Sequence, residues 1–258
     1  MIQGKTIVLL CSDGHSTRAI ANALTKEFGP IEVVMEQPVT RWQMAKRRAR
    51  KIGVPRVAGQ IAFVAAIMPV LYRTGRKRIE EIETLHNLRT DWPEIKISNV
   101  DSVNSDVTRT ILRNLRPDVV IVNGTRIISQ ETLDCVDSVF INTHAGITPL
   151  YRGVHGGYWA LVEDRPQLVG TTVHLVDKGI DTGNIIEQVF FQITETDNFA
   201  TYPYLHTAYG IPILIDAVKR FFEGRLDAKT EGNGLSSKLR HHPTIWGYLF
   251  HRLASGVR

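Results

Sequence analysis

The chain has 258 residues, which is long enough to bury a large core as one domain, or as one domain with a small appendage. Its composition, 43% hydrophobic and 22% charged, is typical of a soluble globular protein, and its net charge of +5 suits an anionic ligand without indicating nucleic acid. Two cysteines, Cys11 and Cys135, exclude a framework of several disulfides, and no Cys/His spacing predicts zinc or another metal.

The N-terminal segment predicts the start of a layered sheet. Residues 6–11 (TIVLLC) form a continuous apolar run, which is typical of a strand covered on both faces. SDGHST follows, and RAIANALTKEF then has the spacing of a helix that stops at Gly29 and Pro30. IEVVME at 31–36 predicts the second strand. This order predicts an α/β fold with a doubly wound, mostly parallel sheet.

Residues 40–94 are polar, basic and helical in pattern, and they predict a helical insertion between strands of the sheet. Within them, GQIAFVAAIMPVLY (59–72) is apolar but shorter than the ~20 residues that span a bilayer. It predicts a helix that is buried or faces a partner, although basic flanks keep a membrane surface open as an alternative. The apolar stretch at the N-terminus is too short for a signal sequence. We therefore expect a cytoplasmic protein without membrane contact.

The remainder of the chain continues the alternation of helices and strands, without internal repeats or a clear linker. We predict a single catalytic domain over residues 1–224, and an extension over 225–258 that packs on the core through Trp246, Tyr248 and Phe250. The predicted elements in this part are a helix at 105–116, strands at 118–123, 138–142, 171–177 and 184–193, and a long amphipathic stretch at 199–224.

Polar loops follow three of the predicted strands, and a fourth loop joins the last two. In an open parallel sheet, ligands bind beyond the carboxyl ends of the strands. Asn142 and His144 lie in the third loop, and Asp181 lies in the fourth between two glycines. A neutral histidine can transfer a proton, an aspartate can orient it, and an asparagine amide can donate to a developing oxyanion. This set predicts attack of an amine on a carbonyl carbon, without a covalent enzyme step.

Linked motifs across residues 118–195 resemble those of the 10-formyltetrahydrofolate-dependent formyltransferases. N-x-H is followed by GITPLYRG, then GTTVHLV, then IDTG, in the order and spacing of that family. The resemblance implies 10-formyltetrahydrofolate as co-substrate. It implies that Asn142 holds the formyl oxygen, that His144 polarises the same carbonyl or transfers a proton, and that Asp181 positions His144 and accepts the amine proton.

The resemblance also implies where the folate binds. The segment NGTRII after the strand at 118–123 matches the family segment whose backbone lines the pterin slot, together with the turn before Asp181. His174 matches a family position too, but a histidine on a strand is more often a core residue. The expected folate-binding residues are Arg126, Ile127, Ile128, Gly179 and Ile180.

Comparison with three branches of the family reduces the number of candidate amine acceptors. Glycinamide ribonucleotide formyltransferases carry a G-x-G-S-N loop for a phosphate, whereas SDGHST has Asp13 and His15. Methionyl-tRNA formyltransferases add a C-terminal barrel, and 77 residues follow Asp181 here. Formyltetrahydrofolate hydrolases add an N-terminal regulatory module. The expected substrate-binding residues are Gly14, His15, Ser16, Arg152 and Gly153.

We therefore expect a small, phosphate-bearing acceptor, foremost a nucleotide-linked amino sugar, with glycinamide ribonucleotide as the second choice. Neither nucleic acid nor a membrane is an expected partner, and a homodimer remains open. A non-catalytic nucleotide-binding module is poorly supported, because the chain has neither a Walker lysine after the first loop nor G-x-G-x-x-G. A serine hydrolase is also poorly supported, because the chain has no G-x-S-x-G elbow to hold a nucleophile.

Overall fold

A computed structural model describes residues 4–229 and 238–258. Residues 1–3 of the predicted catalytic domain and 230–237 of the predicted extension lie outside this range. The described strands are β1 (Ile7–Ser12), β2 (Glu32–Glu36), β3 (Ile97–Val100), β4 (Val119–Asn123), β5 (Val139–His144), β6 (Tyr151–Gly153), β7 (Gly170–Leu175), β8 (Ile185–Phe190) and β9 (Lys238–Arg240).

Seven of these strands form one sheet in the order β3-β2-β1-β4-β5-β7-β8. The first five are parallel, and β7 and β8 are antiparallel to their neighbours. The doubly wound, mostly parallel α/β fold predicted from the sequence is confirmed. Strands β6 and β9 pair separately as a small parallel sheet that the sequence did not predict, because each has only three residues.

Helices cover both faces of the large sheet. One face packs against α1 and α8 through Leu24 and Leu214, and the other packs against α5 through Leu112. The described helices are α1 (His15–Phe28), α2 (Arg41–Ile52), α3 (Val54–Ala62), α4 (Met68–Leu85), α5 (Asp106–Leu115), α6 (Gln130–Leu133), α7 (Gly156–Val162), α8 (Tyr202–Phe222) and α9 (Ile245–Ser255).

The region predicted as a helical insertion contains α2, α3 and α4, and one turn of π-helix at Phe63–Ile67 joins α3 to α4. The contacts that hold α4 on the globule include an ion pair, in which Arg78 Nε lies 2.9 Å from Asp197 Oδ1, and the approach of Gly75 to the Asn198 side chain. Among the described residues, the joined helix at 54–85 alone is long and apolar enough to cross a bilayer by length and composition.

The sequence predicted that the apolar stretch of this helix is buried or faces a partner, and the structure buries it along one face only. Phe63 and Leu71 are buried, whereas Ile61 and Val70 remain more than half exposed. In the predicted extension, α9 packs on α3, where the Trp246 ring lies against Gly59, and Tyr248 is buried. Phe250 was also predicted to pack on the core, but it is 65% exposed because it lies on the outer side of α9. The division into a catalytic domain and an extension stays a prediction.

Candidate active site

The pairing of β5 with β7 brings the predicted catalytic residues together. The two strands run antiparallel, and their register places Asn142 directly opposite His174. The loop after β7 then returns Asp181 to the same edge, with its carboxylate Oδ1 3.3 Å from His144 Nδ1. Asn142, His144 and Asp181 therefore converge, although 39 residues separate the first from the last in the sequence.

His174 fixes the orientation of Asn142. Its Nδ1 lies 2.7 Å from the Leu175 carbonyl, which can only accept, so Nδ1 carries the proton and Nε2 is an acceptor in the neutral ring. The Asn142 amide donates to that Nε2 over 3.1 Å. Its Oδ1 and second N–H have no partner among the described residues. The amide is thus held in place with a donor left for a ligand.

His144 is buried at the end of β5, with 6% of its surface exposed. Its Nε2 donates to the Tyr151 carbonyl over 2.7 Å, which directs Nδ1 towards Asp181. Burial lowers the pKa of His144, and the negative charge of Asp181 and the Tyr151 carbonyl oppose that effect only in part. His144 is therefore a neutral ring at pH 7 whose proton exchange is coupled to Asp181.

Asp181 is held by the loop that contains β6. The Gly153 N–H donates to Asp181 Oδ2 over 2.9 Å, and Arg152 Nη1 donates to the Ile180 carbonyl over 3.3 Å. Burial alone would raise the pKa of Asp181, but His174, His144 and the Gly153 N–H together lower it, so the carboxylate is charged at pH 7. Its φ of 51° lies in the left-handed region, a backbone conformation often found at functional sites.

Arg152 and Gly153 were predicted to bind substrate, and the structure gives both a different contact. They anchor the loop around Asp181, as described above. Gly153 also has a positive φ of 94°, and a Cβ there would lie 2.4 Å from the Arg240 carbonyl. Glycine is therefore required at this position for backbone packing. Their role in substrate binding stays a prediction.

The first polar loop leads into α1, whose N-terminus has no side-chain cap. Asp13 in this loop forms a two-point ion pair with Arg18, which lowers the pKa of the carboxyl. The His15 ring stacks on Tyr204, with 4.1 Å between the ring centroids. Ser16 Oγ accepts from Asn123 Nδ2 over 3.1 Å. Gly14 has an extended φ of 173°, which any residue can adopt, so the structure gives no steric reason for glycine there.

A cavity of about 110 Å³ lies between this loop and β5. Thr143 lines it, and because side chains alternate along a strand, the cavity is on the opposite face of β5 from Asn142 and His144. Three buried polar atoms of residues that line this cavity have no partner among the described residues: His15 Nε2, Thr143 Oγ1 and His206 Nε2. The cavity has room for a few water molecules or one small polar group, but not for a pteridine.

The residues predicted to line the pterin slot are placed next to β5, in the loop after β4 and in the loop after β7. The Arg126 guanidinium is occupied, since its Nε lies 2.6 Å from Glu36 Oε2, and its backbone N–H also donates to Glu36. Ile127 is 56% exposed and Ile128 is buried. Of these three, Ile127 has the side chain that a ligand can reach, and folate binding by the set stays a prediction.

The comparison with protein families decides the assignment. The formyl transferase family model matches residues 5–204, which is more than three quarters of the chain. The chain belongs to the formyl transferase family. The match confirms the resemblance that the four motifs carried, and with it the class of formyl-transferring enzymes predicted from the sequence.

Curated sequence relatives of this formyl transferase include methionyl-tRNA formyltransferases. The methionyl-tRNA formyltransferase of Caldanaerobacter subterraneus subsp. tengcongensis is 31% identical over 134 residues, which cover 51% of this chain and 43% of that protein. The chain thus matches less than half of the length of this curated relative.

Several solved formyltransferase structures share the fold of this chain. A sugar N-formyltransferase from Shewanella has a TM-score of 0.56 at 16% identity, over 91% of this chain and 76% of that one. Glycinamide ribonucleotide transformylase 1 from Symbiobacterium toebii has a TM-score of 0.57 at 19% identity, over 93% and 96%. An N-formyltransferase from Helicobacter canadensis, in complex with folinic acid and dTDP-3-aminofucose, has a TM-score of 0.54 at 17% identity, over 90% and 70%.

Proposed function

We propose that this formyl transferase moves a formyl group from 10-formyltetrahydrofolate to the primary amine of a small phosphorylated metabolite. The observation that carries the proposal is the convergence of an amide, a neutral imidazole and a charged carboxylate at the edge of β5. The folate donor is supported by the family match and by the folinic acid in the Helicobacter canadensis structure.

The donor set fits a formyl carbonyl. The unpartnered N–H of Asn142 can donate to the formyl oxygen as negative charge develops on it. When bound, the folate supplies the formyl group, and the acceptor amine forms the new C–N bond. Asp181 accepts the proton that the amine loses, directly or through a water molecule. Asp181 passes that proton to the unprotonated Nδ1 of His144, 3.3 Å away, and the resulting imidazolium protonates the folate nitrogen as its bond to the formyl carbon breaks, so that protons balance over the reaction.

The acceptor we propose is a nucleotide-linked amino sugar. The charged Asp13 carboxylate lies beside the N-terminus of α1, where the helix would otherwise favour a phosphate. A carboxylate repels phosphate but accepts hydrogen bonds from sugar hydroxyls and attracts an ammonium group. The Shewanella and Helicobacter canadensis structures, which share this fold, are N-formyltransferases, the first of them of sugars.

Glycinamide ribonucleotide is the second candidate. It is favoured by the structure from Symbiobacterium toebii, of which the alignment covers 96%. The uncapped N-terminus of α1 could bind its phosphate if Arg18 drew the Asp13 carboxylate aside. Methionyl-tRNA is the acceptor that the name of the Caldanaerobacter relative gives for that protein, and this chain matches less than half of its length.

A panel of acceptors tests the proposal. The protein is mixed with 10-formyltetrahydrofolate and, in separate reactions, a dTDP-amino sugar, glycinamide ribonucleotide, methionyl-tRNA or buffer, and release of tetrahydrofolate is followed optically. Turnover with the amino sugar alone is the expected result. Turnover only with glycinamide ribonucleotide or only with methionyl-tRNA would replace the proposed acceptor, and equal consumption in buffer would identify a hydrolase.

A further inference from the structure

The exposed side of the helix at 54–72 is apolar. No charged residue occurs between Arg56 and Arg73. Ile61, Val64 and Val70 are 55%, 49% and 57% exposed. Only 28% of the most apolar window of this helix is buried, whereas a core helix of a globular protein is mostly buried. A contiguous apolar surface of this kind marks an interaction site.

Helix α9 extends this surface. Trp246, Leu249, Phe250 and Leu253 are all exposed, and their spacing of three, four and seven residues aligns them on one side of the helix. Trp246 contacts Gly59 of α3, and Leu249 lies with Val70 of α4 in the lining of a cleft of about 610 Å³, which also contains charged residues such as Arg78 and Glu81. The exposed apolar residues of the two elements therefore lie side by side, and we call them the apolar patch: Ile61, Val64, Val70, Trp246, Leu249, Phe250 and Leu253.

The segment around the patch is strongly basic. Residues 37–79 contain eleven Lys and Arg and no Asp or Glu, whereas in the rest of the chain 20 Lys and Arg are outnumbered by 26 Asp and Glu. In α2, which leads directly into α3, the Lys and Arg side chains from Lys46 to Lys51 are exposed and have no ion-pair partner among the described residues. Trp42, on the same helix, is 77% exposed.

We propose that the apolar patch and the basic helix α2 dock this protein on the surface of a bilayer that contains anionic phospholipids. Exposed apolar residues beside Lys, Arg and Trp are the combination that binds at the boundary of headgroups and acyl chains. A second copy fits this surface less well, because two copies joined through the patch would bring two basic segments together. This proposal differs from the sequence-based expectation of no membrane contact.

The contacts of this helix with the globule indicate that it lies along the bilayer and does not cross it. Gln60 Nε2 donates to the His242 carbonyl over 2.7 Å, and Asn198 Nδ2 donates to the Leu71 carbonyl over 3.2 Å. The ion pair of Arg78 with the buried Asp197 holds its second half. A spanning helix would have to break all three contacts and leave the Asp197 charge unpaired.

Sedimentation with phospholipid vesicles tests the inference on the full chain. Wild-type protein is expected to pellet with vesicles of phosphatidylcholine and phosphatidylglycerol, and much less with phosphatidylcholine alone. The double variant Val64→Asp/Phe250→Asp is expected to lose binding at least about tenfold, because a carboxylate is costly to bury among acyl chains and is repelled by anionic headgroups. Val107→Asp is the matched control, since Val107 is an apolar residue of α5, 60% exposed and outside the patch.

A second arm separates charge from apolar contact. Replacing Lys46, Arg47 and Arg50 with Gln is expected to weaken binding to the anionic vesicles and to leave the weak binding to phosphatidylcholine unchanged. Lipids brominated in their acyl chains are expected to quench Trp fluorescence less in Trp246→Phe than in wild type. Circular dichroism shows whether each variant is folded.

Three results would overturn the inference. The first is wild-type protein that stays in the supernatant with both kinds of vesicle. The second is a folded Val64→Asp/Phe250→Asp variant that pellets as well as wild type. The third is a wild-type dimer in light scattering that the same variant splits into monomers, which would make the patch a subunit interface.

Discussion

The edge of the sheet at β5 and the helix at 54–72 are opposites in construction. At the edge, polar groups are largely enclosed: His144 and His174 are buried, and each contacts a partner through a ring nitrogen. Along the helix, apolar side chains such as Val70 are exposed. The catalysis we propose at the edge of the sheet requires individual atoms at hydrogen-bond distance. The membrane binding we propose for the helix is the sum of contributions from many similar side chains. Single substitutions at the edge of the sheet should therefore reduce activity strongly, whereas single substitutions along the exposed side of the helix should weaken membrane binding only slightly.

The largest effect is expected at Asp181. In Asp181→Asn, the side chain can still accept from the Gly153 N–H, so the loop should keep its conformation, but an amide cannot take up the amine proton. We expect kcat for formyl transfer to fall about 10²- to 10⁴-fold with an unchanged circular dichroism spectrum. Asp177→Asn, in the same loop, is the matched control and should stay close to wild type. A near-normal rate for Asp181→Asn would remove Asp181 from the chemistry.

The second largest effect is expected on stability, when the ion pair that holds the helical insertion on the globule is broken. In Arg78→Met, the buried Asp197 carboxylate loses its cation and keeps only neutral donors such as the Thr194 N–H. We expect the free energy of unfolding, measured with urea, to fall by about 2–3 kcal/mol. Arg76→Met is the control: it breaks an exposed ion pair with Glu80 and should cost less than about 0.5 kcal/mol. Equal effects of the two variants would show that the buried pair does not anchor α4.

The smallest expected effect is on the pH dependence of the free energy of unfolding, through the buried His206. Burial lowers the pKa of His206 to about 3, so below the ordinary histidine pKa of 6.5 the unfolded chain binds a proton that the folded chain does not. Stability from this residue is complete above pH 6.5 and is lost as the pH falls towards 3, by about 1.4 kcal/mol per pH unit.

His206→Gln should therefore lose about 2 kcal/mol less than wild type between pH 7 and pH 5 in urea unfolding. His241→Gln, at an exposed histidine, is the matched control and should keep the wild-type difference. The same acid sensitivity in His206→Gln as in wild type would contradict the assignment of a neutral, buried ring.

The sheet could be predicted from the sequence wherever strands are continuous apolar runs, as in β1 and β4, because such runs have few other folded environments. Strand β3 was missed, since ISNV at 97–100 is half polar and lies at the edge of the sheet. The sequence left open whether Val70 is buried or exposed, because an apolar helical pattern does not reveal whether anything covers it.

The candidate site was predictable to the extent that its motifs are local. Asn142 and His144 lie two residues apart, and the family resemblance linked them to Asp181. The place of His174 in the site depends on the register of β5 with β7, which no single motif encodes. The ion pair of Arg126 with Glu36 joins residues 90 positions apart, so the sequence alone gave no signal for it.

The antiparallel pairing of β5 with β7 also bears on how this fold can diversify. Residues 142–144 and 174 are fixed by strand register, while the intervening chain contacts His144 through the Tyr151 carbonyl and Asp181 through the Gly153 N–H. In the segment that follows, α7 packs into the core through Tyr158 and Ala160, and the turn at 164–167 is exposed. Insertions or deletions in that turn would leave the reaction centre intact, which makes it a place where the chain can change length between β5 and β7.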